Sequence, residues 1–213
     1  MRSVQEIEQI FEKFEEHEPN PKSELIYSTP FSFIVAVMLS AQATDKSVNK
    51  IMVAHLHELD SPEKILDNGI IRLTELIKSI NIYKNKARYI YESAKIIIER
   101  FGGVVPLRFE DLTQLSGVGI KTANVVLNVL AGTGDIAVDT HVFRVSRRLG
   151  LSDADTPTQL NADLYSIVPQ RFWNRVNHWL VLHGRYVCTA KRPKCGDCIV
   201  RHLCPGGPDA GQK

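Results

Sequence analysis

The 213-residue chain predicts an all-α protein, and three observations carry that prediction. Apolar residues recur at helical spacing nearly throughout, capping residues and glycines punctuate the runs, and no stretch alternates apolar with polar as a half-buried strand would. With 44% apolar and 23% charged residues, the chain can bury one substantial core or two small ones, and disorder is not its default. Short separations between the runs point to a compact helical bundle.

Each helix has a local reason. The first opens at Ser3, whose pairing with Glu6 makes a capping box ahead of the stripe Val4, Ile7, Ile10, Phe11 and Phe14. Thr29-Pro30 and Ser61-Pro62 each set a capping residue before a proline at the first helical position. Gly102-Gly103 stops the run NKARYIYESAKIIIERF. Further helices are expected at about 46–59, 70–80, 108–114, 120–131, 140–149, 157–168 and 171–187. There is no tandem repeat or low-complexity segment, and the tail PGGPDAGQK reads as a mobile end.

The longest uncharged apolar run, FIVAVML at 33–39, is far short of the ~18 residues that span a bilayer. The start MRSVQEIEQI lacks a signal peptide's apolar segment, so a cytoplasmic protein is expected. A net charge of +2 does not announce a nucleic-acid partner, but its distribution is uneven. Residues 1–24 carry a balance of −4, and residues 185–204 a balance of +4. The basic stretch suits an anionic ligand, and equally suits a solvated surface.

All four cysteines fall in that basic stretch, as Cys188, Cys195, Cys198 and Cys204, a C-x6-C-x2-C-x5-C pattern. Two disulfides within seventeen residues would constrain little of the fold. Zinc usually arrives in two close pairs of ligands, whereas one C-x2-C flanked by two more distant thiolates suits a cubane cluster. Spacing leaves iron–sulfur, zinc and free or bridged thiols all open, with iron–sulfur the best fit. The loop TAKRPK between the first two cysteines would present Lys191, Arg192 and Lys194 as phosphate contacts.

The run DLTQLSGVGIKTANVVLNVL reads as helix, tight turn, helix, with Gly117 and Gly119 letting the backbone turn and approach a ligand. Amides at the second helix's N-terminus make a site for one phosphate, blind to base sequence. An ordinary helical hairpin with packing glycines is the plainer alternative. Lys121 sits in the first turn of that second helix, where a cation has the wrong sign for the dipole. Desolvation and the dipole would both favour its neutral, nucleophilic amine. Asp139 in AVDTHVFRVSRRLG precedes another amphipathic helix, with an N-cap as its obvious structural role. An ionised carboxylate there also suits a group that stabilises developing positive charge.

The segments LSAQATDKSVNK, LSGVGIKTANVVLN, IAVDTHVFRV and LHGRYVCTAKRPKCGDCIVRHLC together resemble the endonuclease III branch of the helix-hairpin-helix DNA glycosylases, from about residue 4 to 204. The resemblance implies a bifunctional repair enzyme. It would flip an oxidised pyrimidine out of duplex DNA, cut its N-glycosidic bond and nick the strand by β-elimination. Lys121 would displace the base at C1′ and form a Schiff base, Asp139 would support that step, and the four cysteines would ligate a [4Fe–4S] cluster. The implied fold is a two-domain helix-hairpin-helix glycosylase fold with a C-terminal iron–sulfur cluster loop. Its central helical domain covers 23–132 with the hairpin at about 108–131, and residues 1–22 join 133–213 in a discontinuous cluster domain, Lys121 and Asp139 meeting across the cleft. Gln42 would fill the gap left by the flipped nucleotide and Ile82 would wedge the opposite strand; a helix-end amide and a core isoleucine are their plainer readings. Gly117, Val118 and Gly119 would hold the backbone. The implied partner is duplex DNA with damaged pyrimidines or abasic sites, bound by a monomer at the nucleoid.

Three positions depart from the family pattern. Ser116 stands where proline is common, predicting a less rigid turn. Ile120 stands where a basic residue often precedes the lysine, and Asn81-Ile82 replaces glycine and leucine. Two rivals share features. An adenine-specific mismatch glycosylase would lack the lysine and carry an acid where Ala36 stands. A non-catalytic DNA-binding iron–sulfur protein would need no carboxylate opposite Lys121.

Overall fold

The computed structural model describes residues 2–134 and 136–206, and among them every regular element is helical. The elements are α1 (Val4–His17), α2 (Pro30–Ser40), α3 (Asp45–Leu59), α4 (Pro62–Leu76), α5 (Tyr83–Phe101), α6 (Phe109–Leu112), α7 (Ile120–Leu130), α8 (Thr140–Leu149), α9 (Pro157–Ile167) and α10 (Trp173–Tyr186). Single 3-10 turns lie at Gln170–Phe172, Cys195–Asp197 and Arg201–Leu203. No helix among the described residues is long and apolar enough to cross a membrane. The tail expected to be mobile lies, from residue 207 on, outside the described residues.

The anticipated caps form. The Ser3 hydroxyl accepts from the Glu6 amide while the Glu6 carboxylate accepts from the Ser3 amide, and Thr29 and Ser61 cap α2 and α4 ahead of their prolines. One boundary differs. The helix expected over 70–80 is the second half of α4, which runs from Pro62 to Leu76 with Gly69 at φ 73 interrupting it, and a turn takes its last four residues. The buried residues Leu73, Leu76, Ile77 and Ile80 have the spacing of a helix stripe. A turn closed by the Ile80 amide on the Ile77 carbonyl, at 2.9 Å, buries the last two without continuing the helix.

The chain divides into two compact units, Ser23–Ala131 and Met1–Lys22 with Gly132–Lys213. In the first, α2 is the hub. Its residues Phe31 to Leu39 are all buried, the pattern of a helix apolar on every side, and it packs on α3, α5 and α7 while α4 lies along α5.

In the second unit α1 docks into the C-terminal third. Phe11 and Phe14 meet Trp179 at ring distances of 6.4 and 6.2 Å, and the Trp179 indole donates to the Glu18 carbonyl at 2.7 Å. The acidic balance of the N-terminal stretch has its counterpart here, since Arg171 pairs with Glu8 and Glu12, and Arg175 with Glu15. α8 crosses α10 at Gly184, where an added Cβ would lie 3.0 Å from His141 and 3.1 Å from Arg144 and Val145.

Candidate functional site

The hairpin lies between α6 and α7. Leu115 and Val118 are buried and anchor its turn, so Val118 offers a ligand its backbone rather than its side chain. Gly117 has φ +74, and a Cβ there would lie 2.8 Å from the Tyr89 ring on α5; conformation and space both demand glycine. Gly119 is extended and faces open space, so its missing side chain leaves room for a ligand rather than enabling the turn. Ser116, which stands where proline is common, makes two contacts of its own. Its hydroxyl donates to Glu92 at 2.5 Å and its carbonyl accepts from Ser93 at 2.8 Å, tying the hairpin twice to α5.

α7 starts at Gly119 with no side-chain cap, leaving the first-turn amides to an external anion. Lys121 is the second residue of α7 and is exposed, beside Ile120 at 69% exposure. The fold therefore does not bury the amine, contrary to the desolvation expected for it.

Asp139 lies in the other unit and caps α8 as expected. Its Oδ1 accepts from the His141 and Val142 amides, both at 2.8 Å, and both bonds fall on that one oxygen.

Gln42 and Ile82 share a rare backbone state. They are the non-glycine residues with positive φ among the described residues, at 56° and 58°. A left-handed conformation costs a residue bearing a Cβ roughly 1–2 kcal/mol, more for a β-branched one. Such strain gathers where a side chain must be aimed. Ile82 is 53% exposed, so it is no core isoleucine, and Gln42 is exposed just past the end of α2. The two loops wall one open pocket, with Gln42, Ala43 and Thr44 on one side and Ser79, Ile80 and Asn81 on the other.

The cysteines are free thiols, half-buried, and all four line one pocket with Arg148, His183 and Lys194. Among the described residues no group of three or more His, Cys, Asp or Glu side chains is disposed to hold a single metal ion. A tetrahedral zinc at Zn–S of about 2.3 Å would draw its sulfurs tightly together; a shared pocket walled by four sulfurs fits the larger cluster better. Burial pushes the Cys198 and Cys204 thiols up and their cysteine neighbours add to it, while backbone hydrogen bonds from Val200 and Gly206 pull the other way. Thiols that burial and their neighbours hold in the protonated form lose their protons together only against a cationic core.

The basic loop between Cys188 and Cys195 keeps Lys191, Arg192 and Lys194 exposed. Arg148 on α8 clamps it, donating to the Thr189 and Ala190 carbonyls at 2.7 and 2.8 Å and to the Cys188 sulfur at 3.5 Å. Arg144, one turn earlier, donates to the Cys188 and Gly184 carbonyls. His183 places Nε2 3.5 Å from the Cys198 sulfur, and burial, then His17, holds its pKa down to about 4. Sequence reasoning missed these three. The arginines share one face of α8 at a four-residue spacing and His183 precedes Cys188 by five residues, but neither spacing reveals a contact across the chain.

Residues 35–170 match the HhH-GPD superfamily of base excision DNA repair proteins, and residues 188–204 match the iron–sulfur binding domain of endonuclease III. Endonuclease III of Rickettsia conorii is 47% identical over 201 residues, 94% of this chain and 96% of that one. A non-covalent endonuclease III–DNA complex superposes with a TM-score of 0.89 at 36% identity, covering all of both chains. A trapped endonuclease III–DNA covalent intermediate, described as an estranged-adenine complex, gives 0.88 at 37% identity over 99% of each. The chain belongs to the endonuclease III family, DNA glycosylases of base excision repair that carry an iron–sulfur cluster.

Proposed function

We propose that this protein is a bifunctional glycosylase and abasic-site lyase that removes oxidised pyrimidines from duplex DNA, working as a monomer in the cytoplasm at the nucleoid. The observation that carries the reading is Lys121 on the uncapped first turn of α7. The helix start that receives a backbone phosphate also delivers an exposed amine to the adjoining sugar. A relative trapped as a covalent DNA intermediate supports the same chemistry.

In this reading Gly117, Val118 and Gly119 hold the strand by their backbone. The Lys121 amine attacks C1′ of the flipped nucleotide and the N-glycosidic bond breaks with its electron pair leaving on the base; loss of a proton from the nitrogen and opening of the C1′–O4′ bond, O4′ taking up a proton, then give the Schiff base. Abstraction of the C2′ proton then eliminates the 3′ phosphate. Asp139, whose Oδ1 accepts from the His141 and Val142 amides, supplies the carboxylate that stabilises the developing positive charge. Gln42 fills the gap left by the flipped nucleotide and Ile82 wedges the opposite strand. Cys188, Cys195, Cys198 and Cys204 hold a [4Fe–4S] cluster. When bound, it ties the loop of Lys191, Arg192 and Lys194 into one rigid phosphate contact.

Incubation with a duplex bearing an abasic site plus borohydride should give a covalent adduct that Lys121→Ala abolishes. If the wild type forms no adduct, the lyase assignment fails and a glycosylase-only or binding function replaces it.

A further inference from the structure

Lys86 is one of the few charged residues buried in the protein, at 7% exposure, and nothing in the chemistry above uses it. It lies in the first turn of α5, four residues after Ile82, and its amide donates to the Ile82 carbonyl at 3.2 Å to close the first bond of that helix. Its ammonium crosses to the end of α2, donating to the Leu39 carbonyl at 2.7 Å and the Ala41 carbonyl at 2.5 Å. Both acceptors are neutral, and a cation there complements the negative end of the α2 dipole.

The second of those bonds selects a backbone state. Ser40 to Ala43 form a turn closed by the Ala43 amide on the Ser40 carbonyl at 3.1 Å. Ala41 has φ −59 and ψ 115, and Gln42 has φ 56. This is a type II turn with glutamine in the position where glycine is preferred. Flipping the peptide between Ala41 and Gln42 would convert it to type I and return Gln42 to negative φ, relieving the strain. That flip would swing the Ala41 carbonyl away from the Lys86 ammonium and leave a buried cation with the Leu39 carbonyl as its one acceptor of the two.

We infer that Lys86 is the positioning residue that locks Gln42 in its left-handed conformation and ties it to the Ile82 helix start, setting the two side chains in register for an opened duplex. The inference rests on the proposed reading of Gln42 and Ile82 as the residues that enter the duplex. Lys86 itself touches no DNA. Burial lowers its pKa, a cost that a purely solvating surface lysine would not carry.

The test is the ratio of affinities for a duplex with an abasic analogue and the same duplex undamaged. Loss of folded protein scales both alike and leaves the ratio unmoved. In Lys86→Met the ratio should fall about tenfold, with a matching loss of fluorescence from 2-aminopurine placed opposite the abasic analogue, and Lys86→Arg should recover part of both. Gln42→Ala should lower the ratio in the wild-type background and change it by less than about twofold in the Lys86→Met background, because the two act as one unit. Losses that simply multiply, or an unchanged ratio in Lys86→Met, overturn the inference. If Lys86→Met does not fold, Lys86→Gln takes its place in the same cycle, and the same two results overturn the inference there. If Gln42→Ala and Ile82→Ala leave the ratio untouched, the reading of those two as duplex-entering residues fails instead.

Discussion

The two units hold their functional groups by different means. In Ser23–Ala131 the positions are set by backbone conformation: Gly117 at φ +74 makes the hairpin, while Gln42 and Ile82 are forced into the same left-handed region although they carry side chains. In the other unit they are set by side-chain clamps, with Arg144 and Arg148 on the cysteine loop, His183 on Cys198, and Asp139 held by two amides. The first unit also contrasts with itself. On the proposed reading, the left-handed residue is glycine where only backbone reaches the DNA, and the strain is kept where a side chain enters it. A left-handed glycine makes a turn at no steric cost, whereas a left-handed isoleucine half in solvent carries strain that its own burial does not offset.

Gly117→Ala tests the backbone side of this contrast most severely. It adds a Cβ at φ +74 within 2.8 Å of Tyr89, and should cost about 2–4 kcal/mol in urea unfolding. It should weaken binding to damaged and undamaged duplex alike. A variant as stable as wild type would remove the demand for glycine there.

Acid should act chiefly on the clamped unit. The His183 pKa is lowered to about 4, by burial first, and burial lowers that of His178 as well, so both are neutral in the folded protein near neutral pH. Between the ordinary histidine value of about 6.5 and about 4, the unfolded chain binds a proton at His183 that the folded one refuses. Stability must then fall as pH drops through that window, by about 1.4 kcal/mol per pH unit for each such group at full separation. Urea midpoints at pH 7 and pH 5, taken where the cluster's visible absorbance is intact, should show the loss, and His178→Gln should make it shallower. A flat profile would mean that neither ring is held neutral.

Gln42→Gly and Ile82→Gly give the smallest change in stability and the sharpest test of the contrast. Each should raise stability by about 0.5–1 kcal/mol, because glycine relaxes the left-handed strain, while the preference for an abasic over an undamaged duplex falls. This is the opposite of Gly117→Ala. A loss of stability in either variant would show that no strain was stored.

Much of this was legible in one dimension because the signals were local. Capping boxes, Thr-Pro and Ser-Pro starts, the glycine pair after α5 and the Asp139 cap each need contacts within a few residues, so the sequence determines them directly. The hairpin, the cysteine spacing and the order of Lys121 and Asp139 were likewise readable, and with them the family. The helix expected at 70–80 forms from the break at Gly69 to Leu76 and stops four residues short for an equally physical reason: Leu73, Leu76, Ile77 and Ile80 have helical spacing, and a turn satisfies the same burial.

What only the tertiary structure decided are the relations between distant segments and the backbone states that they enforce. Nothing local predicts left-handed φ at a glutamine and an isoleucine, since both are disfavoured there. A lysine forty-five residues downstream of Ala41 bonds its carbonyl, and packing brings the two together. The exposure of Lys121, the two bonds of Ser116 to α5 and the grip of Arg148 on the cysteine loop belong to the same class. Sequence specifies which local conformations are cheap; only the packed core can hold a chain in one that is not.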